Sequence, residues 1–533
     1  MNIKEYVRLS VRILNIIFWM TLAYLAGDVG MGFYFLGFII FEVLVILFGS
    51  GLKQSVARMV AVRRSKGLHY NSKLVFRYGI LYSLVFGVGI GFIIWNLSGN
   101  IYSKGVGYII PESVFGVLGA YYAIHLVRGV LQGYYQGRGN TLICIVAELS
   151  QSIVQVILCP ILVIHMYKHG MKISGLLKNS LYANIGGAIG AVYAQCIAGI
   201  LCILILVIGD RIAGTVDRNE YNSVKGVDNT KNITISFIKM GLVYIGEHIF
   251  PVIKIAAIIL IYVRSAYSKD ADVKTVFESV GVFADKFIIV IGLFMALFIE
   301  FIDRECKKIR SDAMHDEHKN VRTRATYLLR NSILILLPIS MILIVLAKPI
   351  TGIFFGGRIS LGVTMLRNGG IVLFLCGLCY MCKSVFSSVK VGRYSIIGGV
   401  CGFAATLIGA GALSGMGAQA ESMAIAFVIG YLIETAVMLI IYYRMMEFDA
   451  VDMGIRTGKI CIGVGVLTGL IAIMDHFIIL NIIFLPVTIV IAYGAYIITL
   501  AVIKGITVRD INSLKGTLIY YPLVFVGNLF VNR

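Results

Sequence analysis

The stretch AYLAGDVGMGFYFLGFIIFEVLVILFGSGLKQSVARMVA (Ala23–Ala61) carries the decisive pattern. Positions 31–51 are apolar apart from Glu42, and the chain then turns basic at Lys53 and Arg58. A run of that length matches the roughly 20 residues a helix needs to cross about 30 Å of hydrocarbon. A second apolar run at 13–27 precedes it and leads straight into it. The two runs read as spanning helices joined by a short turn. The first lacks a small-x-small cleavage site, so it reads as a spanning helix and not as a signal peptide.

The same pattern recurs along the chain. Candidate spans occupy 13–27, 31–51, 74–97, 115–135, 142–165, 183–208, 235–263, 275–302, 328–355, 360–388, 394–414, 422–444, 458–476 and 478–503. The expected fold is therefore an all-α polytopic membrane protein of about fourteen transmembrane helices. Its expected organisation is a six-helix bundle over 1–208, a cytoplasmic linker over 209–234 and a second, pseudo-symmetric six-helix bundle over 235–445. An extra helix pair over 446–503 and a tail over 504–533 follow. The tail segment Leu518–Val531 is apolar but short and is interrupted by Pro522, which suits an interfacial position. QGRGN (Gln136–Asn140) and KVGR (Lys390–Arg393) occupy equivalent junctions in the two bundles, an echo of the parallel repeats found in transporters.

Composition agrees. Of 533 residues, 59% are hydrophobic and 14% charged, against about 25% charged in soluble domains. The mean hydropathy is +0.90. The net charge of +20 comes from 47 Lys and Arg against 27 Asp and Glu. These cations concentrate in segments such as Lys53–Arg77 and Arg304–Arg330, which lie on one side if an even number of helices separates them. The positive-inside bias then puts both termini in the cytoplasm, with the basic rim against anionic lipid. No basic surface interleaved with aromatics is present, so nucleic acid is not an expected partner.

Ionisable residues inside apolar spans are the candidate functional groups, because burying charge in lipid is expensive. Glu42 lies in the middle of the second span, as an ion-coupling residue or the partner of a cation. Arg128 lies too deep in the fourth span for a simple flank, and His125 sits one turn earlier. Lys239, Glu247 and Lys254 share one face of the seventh helix at about 100° per residue. Glu278 and Asp285 share a face of the eighth, with Lys286 adjacent. Lys254 and Asp285 fall at similar depth, at about 1.5 Å of rise per residue. They are expected either to pair as a gate lining a cavity or to neutralise each other statically. Gln151 and Gln155 read as sugar-contacting amides or as stitches between helices.

Other patterns carry no chemistry. Cys376, Cys379 and Cys382 are spaced C-x-x-C-x-x-C but lie in one apolar helix, where small packing residues belong. GSGLKQS lacks the spacing of a phosphate loop, and HDEH (His315–His318) is not H-E-x-x-H. No nucleophile–base constellation appears, so neither an enzyme, a metal nor a cofactor is expected.

Ala23–Ala61 also resembles the first helical hairpin of bacterial polysaccharide exporters and lipid II flippases, in the multidrug/oligosaccharidyl-lipid/polysaccharide exporter superfamily. GYYQGRGN (Gly133–Asn140) resembles that family's junction between helices four and five. LPISMILIVLAKPITGIFFGG (Leu337–Gly357) resembles its ninth helix, and ITVRDINSL (Ile506–Leu514) its C-terminus. The resemblance is to the sporulation stage V protein B-like branch and covers nearly the whole chain. It implies an alternating cavity between two six-helix halves, a lipid-pyrophosphate-sugar cargo, cavity cations near Lys53 and Arg58, and residence in the bacterial cytoplasmic membrane. The chain departs from the family at Tyr24, where many members carry arginine. It departs again at Gln151 and Gln155, where many carry a Glu and an Arg one turn apart.

The expected function is a flippase for a lipid-linked oligosaccharide or polysaccharide precursor. Arg58, Lys53, Arg128, Lys239 and Lys254 are the expected cavity cations, and Asp285, Glu247 and Glu42 the gate or coupling groups. One alternative is a multidrug/cation antiporter of the same superfamily. The other is a non-transporting scaffold whose partners are envelope-synthesis enzymes.

Overall fold

In a bilayer the backbone has no water to bond, so each spanning segment must satisfy its own hydrogen bonds, and a chain this apolar is driven to helices. The computed structural model describes residues 3–105, 113–213, 230–417, 419–477 and 484–506, and no strand occurs among them. The helices are α1 (Ile3–Leu44), α2 (Gly51–Ser65), α3 (His69–Gly105), α4 (Ser113–Gly137), α5 (Thr141–Leu177), α6 (Leu181–Ala213), α7 (Thr230–Tyr267), α8 (Val273–Val282) and α9 (Val290–Met314). They continue with α10 (His318–Val345), α11 (Ala347–Phe354), α12 (Ile359–Gly369), α13 (Val372–Ser388), α14 (Arg393–Met416), α15 (Ser422–Met446), α16 (Ala450–Phe477) and α17 (Phe484–Val502). Two π-helical turns, Val45–Ser50 and Phe283–Ile289, splice α1 to α2 and α8 to α9. Most of the expected linker (214–229) and nearly all of the tail (507–533, with Pro522) lie outside the described residues.

By length and apolarity, 11 of the described helices suffice to cross a membrane, or 12 if α12 and α13, bent by 51°, count as one span. Fourteen result when two features are added. Gly27 breaks α1 at φ 69° and ψ 173°, a conformation glycine adopts without penalty, and this separates the first two expected spans. The 25-residue α4 holds the fourth. The 37-residue α5 and the 38-residue α7 outrun the hydrocarbon core, so their ends project beyond it.

The chain divides into two compact units, residues 2–285 and 286–533. The division falls in the second π-turn, so α7 and α8 pack within the first unit. In that unit α5 and α6 pack nearly backbone to backbone. A Cβ on Gly190 would stand 2.5 Å from the Leu162 carbonyl oxygen, and one on Gly186 would stand 2.4 Å from that of Met166. Small residues at four-residue intervals allow this approach, which dispersion favours where lipid supplies no hydrophobic drive. The Tyr135 hydroxyl donates to the Leu206 carbonyl at 2.8 Å and ties α4 to α6. Val56, Met59, Val60, Val75, Val130, Tyr134, Ile233 and Phe237 form an apolar core among α2, α3, α4 and α7.

In the second unit α10 is the hub. The Tyr442 hydroxyl donates to the Ala325 carbonyl at 2.8 Å, and the Tyr496 hydroxyl to that of Leu334 at 3.0 Å. Arg330 pairs with Asp452, which also accepts from Arg456 at 2.9 Å. The α16–α17 hairpin is thereby fastened to α10.

Candidate functional site

Polar residues on α1, α2, α4, α5 and α7 surround a cavity of about 370 Å³ within the first unit. On α4 and α5 the lining residues fall on one face of each helix. On α4 the stripe is His125, Arg128 and Gln132, spaced three and four apart, and on α5 it is Glu148, Gln151 and Ser152. Residues at these intervals stack on one helix face. The first π-turn supplies Gly49 and Ser50, and the start of α2 supplies Lys53 and Gln54. Such turns shift the register of the side chains that follow and recur at functional positions. Asn15 from α1 and Tyr244 from α7 complete the polar wall.

The hydrogen bonds determine what this wall can do. The Lys53 ammonium donates to Gln132 Oε1 at 2.8 Å and lies 3.4 Å from Glu148 Oε1. The Arg128 guanidinium donates to Gln151 Oε1 and, at 2.9 Å, to His125 Nδ1. Because arginine has no acceptor, His125 Nδ1 must accept and the ring proton sits on Nε2. The closest partners of both cations are thus neutral acceptors, which fix their positions without cancelling their charge. Glu148 is the single carboxylate among the lining residues, so Lys53 and Arg128 leave the wall with a net positive charge. Glu42, singled out in the second span, is half-buried and is not among the lining residues.

Of the residues singled out from the sequence, Lys53, Arg128 and Gln151 meet in this cavity, with His125. Gln155 is buried one turn further along α5 and is not among the lining residues. Arg58 on α2 and Lys239 on α7 are exposed, and neither lines the cavity. Glu247 is half-buried. Lys254 and Asp285 are 0% and 1% exposed, and neither lacks an interaction partner. In this conformation they are packed inside protein and do not line a wet chamber. A charge so deeply desolvated persists only when it is neutralised nearby.

Sequence reasoning passed over Glu148, Gln132, Asn15 and Tyr244. Glu148 carried a usable signal, being the sole acidic residue of the 142–165 span, three residues before Gln151. It also passed over Lys383 on α13 and Glu434 on α15, which form a buried ion pair at 2.6 Å in the second unit. That unit holds another polar cavity, of about 440 Å³, between α9 and α10. Its cations are already matched, Lys308 to Glu305 at 2.8 Å and Arg324 to Asp312 at 2.6 Å. It therefore offers less free charge than the first cavity. Cys379, from the C-x-x-C-x-x-C run, packs against the Thr435 hydroxyl at 3.1 Å.

No protein-family model and no curated protein matches the chain. Solved structures do. The lipid II flippase MurJ in an inward closed conformation aligns with 96% of this chain and 99% of its own, at a TM-score of 0.65 and 12% identity. A multidrug resistance MATE family transporter of the MOP superfamily, in an inward-facing conformation, aligns with 83% of this chain and 98% of its own, at 0.61 and 16%. A MOP superfamily transporter from Pyrococcus furiosus, described as having a binding pocket of reversed polarity, aligns with 84% of this chain and 95% of its own, at 0.56 and 16%. The chain has the fold of the multidrug/oligosaccharidyl-lipid/polysaccharide exporter (MOP) superfamily.

Proposed function

We propose that this chain is a membrane carrier that moves a lipid-linked sugar with an anionic phosphate or pyrophosphate headgroup across the bilayer by alternating access. One observation carries the reading: Lys53 and Arg128 face one cavity and take their nearest hydrogen bonds from the neutral acceptors Gln132, Gln151 and His125. A phosphate headgroup must exchange its hydration for charge-assisted hydrogen bonds, and cations with unspent charge supply them. The side-chain amides of Asn15, Gln54 and Gln151 in the same wall suit sugar hydroxyls. The flippase likeness, which extends over 96% of the chain, supports a lipid-linked cargo.

The cavity lines up with the helix ends nearest the basic segment Lys53–Arg77 and the QGRGN junction. We assign those ends to the cytoplasmic side of a bacterial plasma membrane, with both termini cytoplasmic. We assign the carrier's two sequence repeats to 1–208 and 235–445, so that α7 and α8 belong to the second repeat although they pack within the first unit. The multidrug reading draws on the MATE likeness, but a net positive wall repels the organic cations such a pump would carry.

The test is reconstitution of the full chain into proteoliposomes carrying a fluorescent polyprenyl-pyrophosphate sugar. The expected result is protein-dependent loss of leaflet asymmetry that Lys53→Gln and Arg128→Gln each abolish. Flipping that is absent, or that survives both replacements, sinks the assignment.

A further inference from the structure

We propose that Glu148 is an internal counter-anion: it occupies Lys53 while the cavity is empty, and the anionic headgroup displaces it on binding. This rests on the headgroup reading above. Three features single Glu148 out.

The first is geometry. Lys53 Nζ lies 2.8 Å from the Gln132 amide oxygen but 3.4 Å from the nearer Glu148 oxygen. Charge-assisted N–H···O contacts close to about 2.7–2.9 Å when they are tight. Gln132 therefore holds the lysine in place, and the carboxylate sits beside it without locking it.

The second is exposure. The Lys53 and Glu148 side chains are 26% and 31% exposed, and both line the same cavity. An ion pair so placed is screened, and little is lost on separating it. The buried Lys383–Glu434 pair contrasts with it, at 2.6 Å with the carboxylate fully enclosed.

The third is the neighbourhood. Glu148 is three residues from Gln151 on the same face of α5, and Gln151 holds Arg128. A headgroup that bridges Lys53 and Arg128 must therefore pass the Glu148 carboxylate. Both are anions competing for one cation, so each occupant lowers the other's affinity.

The consequence is an asymmetry between binding and turnover. Removing the carboxylate leaves Lys53 free for cargo, so affinity rises. It also removes the group that reclaims Lys53 when cargo leaves, so release slows. A merely structural Glu148 would give a loss in both.

The experiment uses the full chain in nanodiscs. Calorimetry measures binding of geranyl pyrophosphate, with geraniol as the uncharged control, and the proteoliposome assay measures flipping. Glu148→Gln is expected to bind geranyl pyrophosphate about fivefold tighter and to flip more slowly, with Glu148→Ala doing the same and Glu148→Asp, which keeps the charge at a longer reach, falling between wild type and Glu148→Gln. Lys53→Gln is expected to weaken binding at least about tenfold, and the Lys53→Gln/Glu148→Gln double variant to match it, since without Lys53 there is nothing to compete for. If Lys53→Gln weakens binding but neither Glu148→Gln nor Glu148→Ala strengthens it, the counter-anion is refuted and the headgroup site stands. Tighter binding with undiminished flipping refutes the role in release. If wild type shows no more affinity for geranyl pyrophosphate than for geraniol, the headgroup reading falls and the counter-anion with it.

Discussion

Replacing Lys383 with Met tests how the second unit tolerates charge in its interior. Lys383 Nζ stands 2.6 Å from Glu434 Oε1, with the carboxylate side chain 0% exposed and the lysine 15%. At that separation the attraction is about 6 kcal/mol for an effective dielectric near 20. Desolvating the two ions takes back several kcal/mol each, so the intact pair roughly breaks even. Breaking it is different, because Glu434 is left buried without its counter-ion, at about 3–5 kcal/mol. α14 already packs closely against this carboxylate, since a Cβ on Gly402 would come within 2.6 Å of Glu434 Cβ. Lys383→Met and Glu434→Leu should each lower stability strongly, while the double replacement should recover most of the loss. Denaturant unfolding of the purified protein in mixed micelles reads the three values, and the double-mutant cycle should give a coupling of at least about 3 kcal/mol. Additive losses would refute the reasoning, and so would single variants within about 0.5 kcal/mol of wild type, since surface-like pairs behave that way.

Three further outcomes follow from the first unit. Arg128→Lys should bind a pyrophosphate probe at least about tenfold more weakly in calorimetry, because one ammonium cannot hold the guanidinium's fork between Gln151 and His125; an affinity equal to wild type would show that only the charge matters. Gly281→Ala should lower stability by about 1–3 kcal/mol, since its Cβ would fall 1.8 Å from the Asp28 carbonyl oxygen and force α1 from α8; unchanged thermal unfolding would show that the two helices do not pack this closely. Cysteines placed at Lys254 and Asp285 should resist a polar thiol reagent in the empty protein, given their burial. Reaction only after cargo is added would restore the gate, and reaction without cargo would refute the packed placement.

Hydropathy made the helices legible before any coordinate. A spanning segment is an intrinsic property of about 20 consecutive residues, and lipid leaves the backbone no other solution. The boundary between the first two spans was legible for the same local reason, although the positive φ at Gly27 that makes it was not. The π-turns were not, because a one-residue shift in hydrogen bonding leaves no trace in composition. Single charges inside apolar helices were visible as outliers, and the structure brings three of the polar residues so noted, Lys53, Arg128 and Gln151, to one cavity. Their partners were not visible. Lys53 finds Glu148 across 95 positions of sequence, and such pairings depend on how helices rotate and cross, which no single helix encodes. Lys254 and Asp285 show the limit from the other side. Sequence spacing put them at similar depth, but depth alone cannot separate a water-lined wall from a packed seam, and in the structure both are buried.

That distinction bears on how a carrier can work at all. A protein that holds an anion on the way across must come back without it. Every uncompensated charge exposed to low dielectric on the return costs about 2.5–3.5 kcal/mol on insertion scales. Pairing each cation permanently with a carboxylate, as Lys383 is paired with Glu434, would ease the return and leave nothing for the cargo. Bare cations would bind cargo and hinder the return. The first unit takes a course between these. Amide oxygens fix Lys53 and Arg128 in position without using up their charge. One carboxylate, 3.4 Å from Lys53, offsets part of that charge, and on the proposal above it is the group that yields to a phosphate. On this argument the number of cations in the wall decides whether an anion binds, and the looseness of Glu148 decides whether it can leave. A stronger Lys53–Glu148 contact would slow capture, and its loss would slow release.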